Sequence, residues 1–129
     1  MQIEHIAVWT KNLETLKEFY VQYFGACAGS KYVNAKRGFE SYFLQFESGA
    51  RIEIMSLPEL NQIQNNNTYP SIGYAHIAFR AGSREMVDEL TTRLQEAGFK
   101  LLSGPRITGD GYYESLILDP DGNQVEITV

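Results

Sequence analysis

The strongest constraint on this chain is that it repeats itself. His5-Ile6-Ala7-Val8 recurs as His76-Ile77-Ala78-Phe79, 71 positions later, while Gly25, Gly49 and Glu53 recur as Gly98, Gly122 and Glu126, 73 positions later. A two-residue difference between the opening strand and the helix accounts for the change of offset. A duplicated pattern restricts the fold to two similar supersecondary units, and it changes how any single residue is judged.

Each copy can be read from its periodicity. Residues 3–9 form a short β-branched run ending in polar residues, which predicts a strand. Asn12 is a candidate N-cap, and Leu13, Leu16, Phe19, Tyr20, Tyr23 and Phe24 then fall three or four apart until Gly25. That spacing predicts an amphipathic helix with one buried stripe. Strands are expected over 31–35, 40–46 and 51–55, the last two joined by a hairpin-type turn at 47–50. The second copy restarts with a strand over 74–80. A helix follows Ser83, with Met86, Val87, Leu90, Leu94 and Ala97 on one face and Gly98 as its stop. Strands near 100–103, 112–118 and 124–128 complete it, with Asp119-Pro120-Asp121-Gly122-Asn123 as the last turn. Both copies read β-α-β-β-β. Residues 58–72 lie between them, rich in Asn and holding Pro58 and Pro70, with no periodic apolar face, and form a linker loop. The expected class is α+β: a single domain over 1–129, made of βαβββ modules at 1–57 and 73–129 whose mixed sheets curl around a common cleft.

The duplication singles out four residues. A lone histidine in an apolar strand is ordinarily a hydrogen-bonded core residue, and a lone glutamate between β-branched neighbours ordinarily marks the solvent face of a half-buried strand. Here both histidines of the chain, His5 and His76, hold the same place in the two copies, and Glu53 and Glu126 hold the same place in the two final strands. Period-two alternation puts His5 on one face with Ala7 and Trp9, leaving Ile6 and Val8 to pack under the helix. If the sheets share a cleft, the two imidazoles and two carboxylates converge in it, and buried carboxylates require a cation. Nitrogen and oxygen donors without thiolates suit a divalent metal such as Zn²⁺, Ni²⁺, Co²⁺, Fe²⁺ or Mn²⁺.

Composition removes other classes. The chain has 129 residues, 43% of them apolar, enough for a core without staples. Its one cysteine, Cys27, leaves no disulfide framework and no thiolate zinc cluster, which points to a reducing, cytoplasmic setting. A net charge of −5 with scattered Lys and Arg argues against nucleic acid or an anionic membrane as partner. Neither a charged-then-apolar leader nor an apolar run of the ~20 residues that a membrane span needs is visible. Gly109-Asp110-Gly111 lacks the Lys and following helix of a phosphate loop and is read as a turn.

With these residues in view, the chain resembles the vicinal oxygen chelate superfamily of glyoxalase I, extradiol dioxygenases, methylmalonyl-CoA epimerase, and fosfomycin and bleomycin resistance proteins. The resemblance runs over essentially the whole chain. It rests on His5, on Glu53 within Ile-Glu-Ile, on His76 within His-Ile-Ala, and on the segment from Asp119 to Glu126. The glyoxalase I ligand order of His, Glu, His, Glu is filled by His5, Glu53, His76 and Glu126. The resemblance implies a metal-dependent lyase or isomerase acting on a small substrate with two adjacent oxygens through an enediolate, with Glu126 the leading base and Glu53 opposite. It also implies a homodimer. An arginine usual in glyoxalase I four residues after the first histidine, where it recognises glutathione, is Trp9 here, and the corresponding place in the second copy is Arg80. Arg80 suits a substrate carboxylate or phosphate, and Trp9 an apolar substrate wall. The same superfamily leaves open an epimerase, a dioxygenase, or a metal-free antibiotic binder with an aromatic cleft, for which Phe39, Tyr42, Tyr112 and Tyr113 are candidates.

Overall fold

The structure, a computed structural model, describes residues 1–61 and 72–129. Two compact units divide the chain, Met1–Ile63 and Gln64–Val129. The expected linker over 58–72 falls mostly on residues 62–71, outside the described residues.

In the first unit, β1 (His5–Trp9) leads to α1 (Leu13–Phe24), then to β2 (Cys27–Ala28), β3 (Tyr32–Asn34), β4 (Phe39–Gln45) and β5 (Arg51–Ser56). The Asn12 side chain accepts from the Thr15 N–H at 3.3 Å, and Gly25 takes the left-handed conformation at φ 67°, so both ends of α1 are capped as the sequence predicts. The sheet runs β1-β5-β4-β2, with β3 also on β4; β1 and β5 are parallel and the other pairs antiparallel. Leu13, Leu16, Phe19 and Tyr20 of α1 are buried, as are Leu44, Ile52 and Ile54 on the sheet, and they form this unit's core.

The strand expected over 31–35 is narrower, and a two-residue strand precedes it. Cys27 and Ala28 pair with Gln45 and Leu44, while Tyr32, Val33 and Asn34 pair with Ser41, Glu40 and Phe39. The two pieces together line the edge of β4, which keeps the β-α-β-β-β plan with one interrupted strand. A two-residue strand has no periodicity to read; only its pairing defines it.

In the second unit, β6 (His76–Arg80) leads to α2 (Arg84–Glu96), β7 (Leu101–Ile107), β8 (Tyr113–Leu118) and β9 (Gln124–Thr128). Its sheet runs β6-β9-β8-β7, again with the first and last strands parallel. Ser83 caps α2 by accepting from the Met86 N–H at 3.2 Å. Val87, Thr91 and Leu94 on the helix, and Ser115, Ile117, Val125 and Ile127 on the sheet, are buried. β7 extends four residues beyond the expected stop at Ser103. Its register against β8 shifts on either side of Ser103, and it passes through Gly104 and Pro105 as an edge strand, the place where proline and bulges are tolerated. Gly104 has φ 85°, and a Cβ there would lie 2.4 Å from the Glu114 carbonyl oxygen, so both conformation and space demand glycine.

Residues 109–111 form a turn, as expected, with the Gly111 N–H donating to the Thr108 carbonyl at 3.0 Å. In the last turn, Asp119 accepts through Oδ1 from the Asp121 and Asn123 N–H groups, each at 2.9 Å. Its Oδ2 accepts from Asn123 Nδ2, also at 2.9 Å. Burial pushes its carboxyl above the usual range, against these hydrogen bonds.

Candidate metal-binding residues

The repeat is exact at the level of strand register. Ala7 stands opposite Glu53 in the β1–β5 pair, and Ala78 stands opposite Glu126 in the β6–β9 pair. Each histidine lies two residues before the alanine, and therefore on the same face as its glutamate, turned away from the helix. In the first unit His5 Nε2 is 3.9 Å from Glu53 Oε2; in the second His76 Nε2 is 3.3 Å from Glu126 Oε2. Both carboxylates are largely covered, with side chains 17% exposed, while the imidazoles are 40% and 41% exposed.

The separation in the second unit fits a shared metal ion. With metal–nitrogen and metal–oxygen bonds near 2.1 Å, two ligand atoms stand about 3.0 Å apart at a right angle and about 3.4 Å apart at a tetrahedral one. The second pair falls in that range and the first is half an ångström wider. Among the described residues, no group of three or more His, Cys, Asp or Glu side chains gathers into a metal-holding cluster. Each unit offers a two-donor pair.

The His5 pair has surroundings that sequence reasoning missed. His5 Nδ1 is hydrogen-bonded to the Glu4 carboxylate, and Arg51 donates to the other oxygen of that carboxylate. The hydrogen bond with His5, and after it the contact with Arg51, hold the Glu4 carboxyl below its ordinary range. Phe43, opposite Glu53 on β4, meets the His5 ring edge-on at 5.4 Å, and the Arg51 guanidinium lies 4.2 Å over the Phe43 ring. The matching places in the second unit are Ala75 for Glu4 and Gln124, which stands opposite His76 as Arg51 stands opposite His5. The two histidines are alike in place and unlike in support.

A second omission is Glu114. It pairs with Thr128 while Leu116 pairs with Glu126, so Glu114 shares the open face with Glu126. Burial, and then the charge of Glu126, push its carboxyl above the usual range, while Arg106 opposite it on β7 acts the other way. Alternation along 114–117 was the signal that could have placed it there.

The two substrate-contact candidates lie farther along the same faces. Trp9 and Arg80 end their strands four residues from His5 and His76, roughly 13 Å at about 3.3 Å per residue. Both are exposed. Trp9 meets Phe39 edge-on at 6.2 Å, and Tyr32 lies 6.0 Å from Phe39. Of the other aromatic candidates, Tyr42 and Tyr113 are turned to the helices, where their hydroxyls donate to Glu14 and Asp88 at 3.0 and 2.6 Å. Tyr112 is exposed. A surface depression of about 750 Å³ in the first unit, lined by Lys11, Gly38 and residues 56–61, includes none of the candidate ligands.

Comparison with known proteins gives the family. Residues 2–127 match the Glyoxalase/Bleomycin resistance protein/Dioxygenase superfamily, and the chain belongs to it. Among solved structures, the chain is similar to the trypanothione-dependent glyoxalase I of Leishmania major, with TM-score 0.77 and 17% identity over 99% of this chain and 86% of that one. A glyoxalase family protein from Enterococcus faecalis gives TM-score 0.78 and 22% identity, covering 99% and 97%. A lactoylglutathione lyase from Agrobacterium tumefaciens gives 0.70 and 25%, covering 98% and 91%. In sequence, 59 residues are 37% identical to the uncharacterized protein YqjT of Bacillus subtilis (strain 168), covering 43% of this chain and 46% of that protein. The aligned part is thus about half the length of that relative. These likenesses establish the α+β glyoxalase fold. Among the described residues, no helix is long and apolar enough to cross a membrane.

Proposed function

We propose that the protein is a divalent-metal-dependent lyase or isomerase of glyoxalase type, acting on a small substrate with two adjacent oxygens, with His5, Glu53, His76 and Glu126 as the metal ligands. The observation that carries this reading is the recurrence of a His–Glu pair at the same register position in both sheets of a chain belonging to this superfamily. Zn²⁺, Ni²⁺, Co²⁺, Fe²⁺ and Mn²⁺ all suit two imidazoles and two carboxylates. When bound, such an ion supplies a Lewis acid for the paired oxygens of the substrate.

The protein's own groups do the rest. Glu126 takes the proton from the carbon beside the substrate carbonyl and returns it to the neighbouring carbon. Its mostly covered carboxylate lies 3.3 Å from His76 Nε2. Glu53, at the same register position in the first unit, is the second candidate for this role. Trp9, exposed beside Phe39, offers an apolar wall where glutathione-specific relatives are expected to carry arginine, and Arg80 offers a guanidinium for a substrate carboxylate or phosphate. This favours a thiol partner other than glutathione.

The test is metal analysis of the purified protein and of Glu126→Gln, followed by a screen of the metal-loaded protein on methylglyoxal with several thiols. The reading expects metal in the wild type and loss of turnover in the variant. A wild type that neither retains nor takes up any of the five ions, or a variant with full activity, overturns it; activity confined to glutathione removes the role given to Trp9.

A further inference from the structure

The support around His5 goes beyond the ligand set. A carboxylate only accepts hydrogen bonds, so the contact between His5 Nδ1 and Glu4 puts the ring proton on Nδ1 whenever Glu4 is ionised. In the neutral ring that leaves the lone pair on Nε2, the atom turned toward Glu53 Oε2 at 3.9 Å. Two lone-pair-bearing atoms then face each other, an arrangement that a shared cation, proton or metal, makes favourable.

Glu4 is itself held. Its carboxylate accepts from Arg51, and its carbonyl accepts from the Arg51 N–H at 3.1 Å, so backbone and side chain fix the same pair of residues. Arg51 is steadied over Phe43, and Phe43 closes the side of the His5 ring. At the matching places beside His76, among the described residues, Ala75 has no side-chain acceptor and Gln124 carries no charge.

We propose that Glu4, locked by Arg51, is a positioning residue that fixes His5 as the Nδ1–H tautomer with Nε2 free to ligate, and that this makes His5 the preorganised histidine of the two. The inference rests on the metal reading above for its purpose, though the tautomer stands by itself. Outer partners of this kind contribute about 10–100-fold to metal affinity.

The experiment uses the whole chain. Two-bond ¹H–¹⁵N spectra of the metal-free protein report the tautomer of His5 and of His76 separately, in the wild type, Glu4→Gln and Glu4→Ala, and Co²⁺ titration followed by calorimetry and d–d absorption gives the affinity of each. The expected result is an Nδ1–H tautomer at His5 in the wild type, its loss in Glu4→Ala with His76 unchanged, and Co²⁺ binding weakened about 10–100-fold. Glu4→Gln keeps an amide oxygen as acceptor and should restore much of the tautomer and part of the affinity. A wild-type His5 protonated at Nε2, or a Glu4→Ala protein whose His5 tautomer is unchanged, overturns the proposal. Should no form bind Co²⁺ while the tautomer shifts as expected, the metal reading fails and the positioning of His5 by Glu4 survives.

Discussion

A buried pair of hydroxyls joins α2 to the sheet that carries Glu126, and its removal can be worked through quantitatively. Thr91 Oγ1 lies 2.6 Å from the Val87 carbonyl and 2.6 Å from Ser115 Oγ, and both side chains are buried. A hydroxyl has one proton; since Thr91 gives its own to the carbonyl, Ser115 must donate to Thr91. Thr91→Val preserves shape and leaves the Ser115 O–H without its acceptor, a loss of about 1–3 kcal/mol. Ser115→Ala removes the donor and leaves Thr91 bonded to its carbonyl, a loss of about 0.5–1.5 kcal/mol. In the double variant no stranded donor remains, and the total should fall short of the sum by about 1–2 kcal/mol. Urea unfolding followed by circular dichroism, with the m-values compared across the four proteins, gives the cycle. Additivity to within about 0.3 kcal/mol would show that the two hydroxyls do not depend on each other, and the reasoning would be wrong.

Two further outcomes follow from the turns and the edge. Gly104→Ala must accept both φ 85° and a Cβ crowded against the Glu114 carbonyl oxygen, and should lose roughly 2–4 kcal/mol in the same unfolding assay; a loss under about 0.5 kcal/mol would refute the demand for glycine there. Asp119 has its carboxyl raised by burial, so the native state holds this proton more tightly than the unfolded chain does. The stability it contributes is present in acid and is lost as pH rises through the raised native value. Asp119→Asn lacks that loss, so the melting temperature of the variant minus that of the wild type should climb as pH rises through and above the ordinary aspartate range. A flat or falling difference contradicts the direction.

The parts of the fold that could be read from sequence are those with internal redundancy. Asn12 and Gly25 bracket α1 because cap chemistry is local, and the His–Glu register recurs because the same segment is written twice. What escaped depends on which residues meet across strands. Arg51 reaches Glu4 because β1 and β5 are parallel neighbours in one register, and a residue preceding the strand gives no hint that its carboxylate reaches the next ring. Glu114 gains its meaning from the β8–β9 pairing. The length of β7 escapes a local reading because Gly and Pro together resemble a strand stop, whereas on an edge Gly104 and Pro105 are accommodated beside the register shift. Cys27–Ala28 is too short to show a period.

The two sheet edges remote from the histidines share a property with consequences for behaviour in a crowded solution. One is split into β2 and β3, and the other is bent at Gly104 and lacks an N–H at Pro105. An unbroken edge strand is a template on which a foreign chain can extend the ladder into aggregates. With short pieces on one side and a kinked, donor-poor strand on the other, those edges offer a stray strand no continuous row of partners. The irregularities that obscured these strands in the sequence therefore act as guards against misassembly.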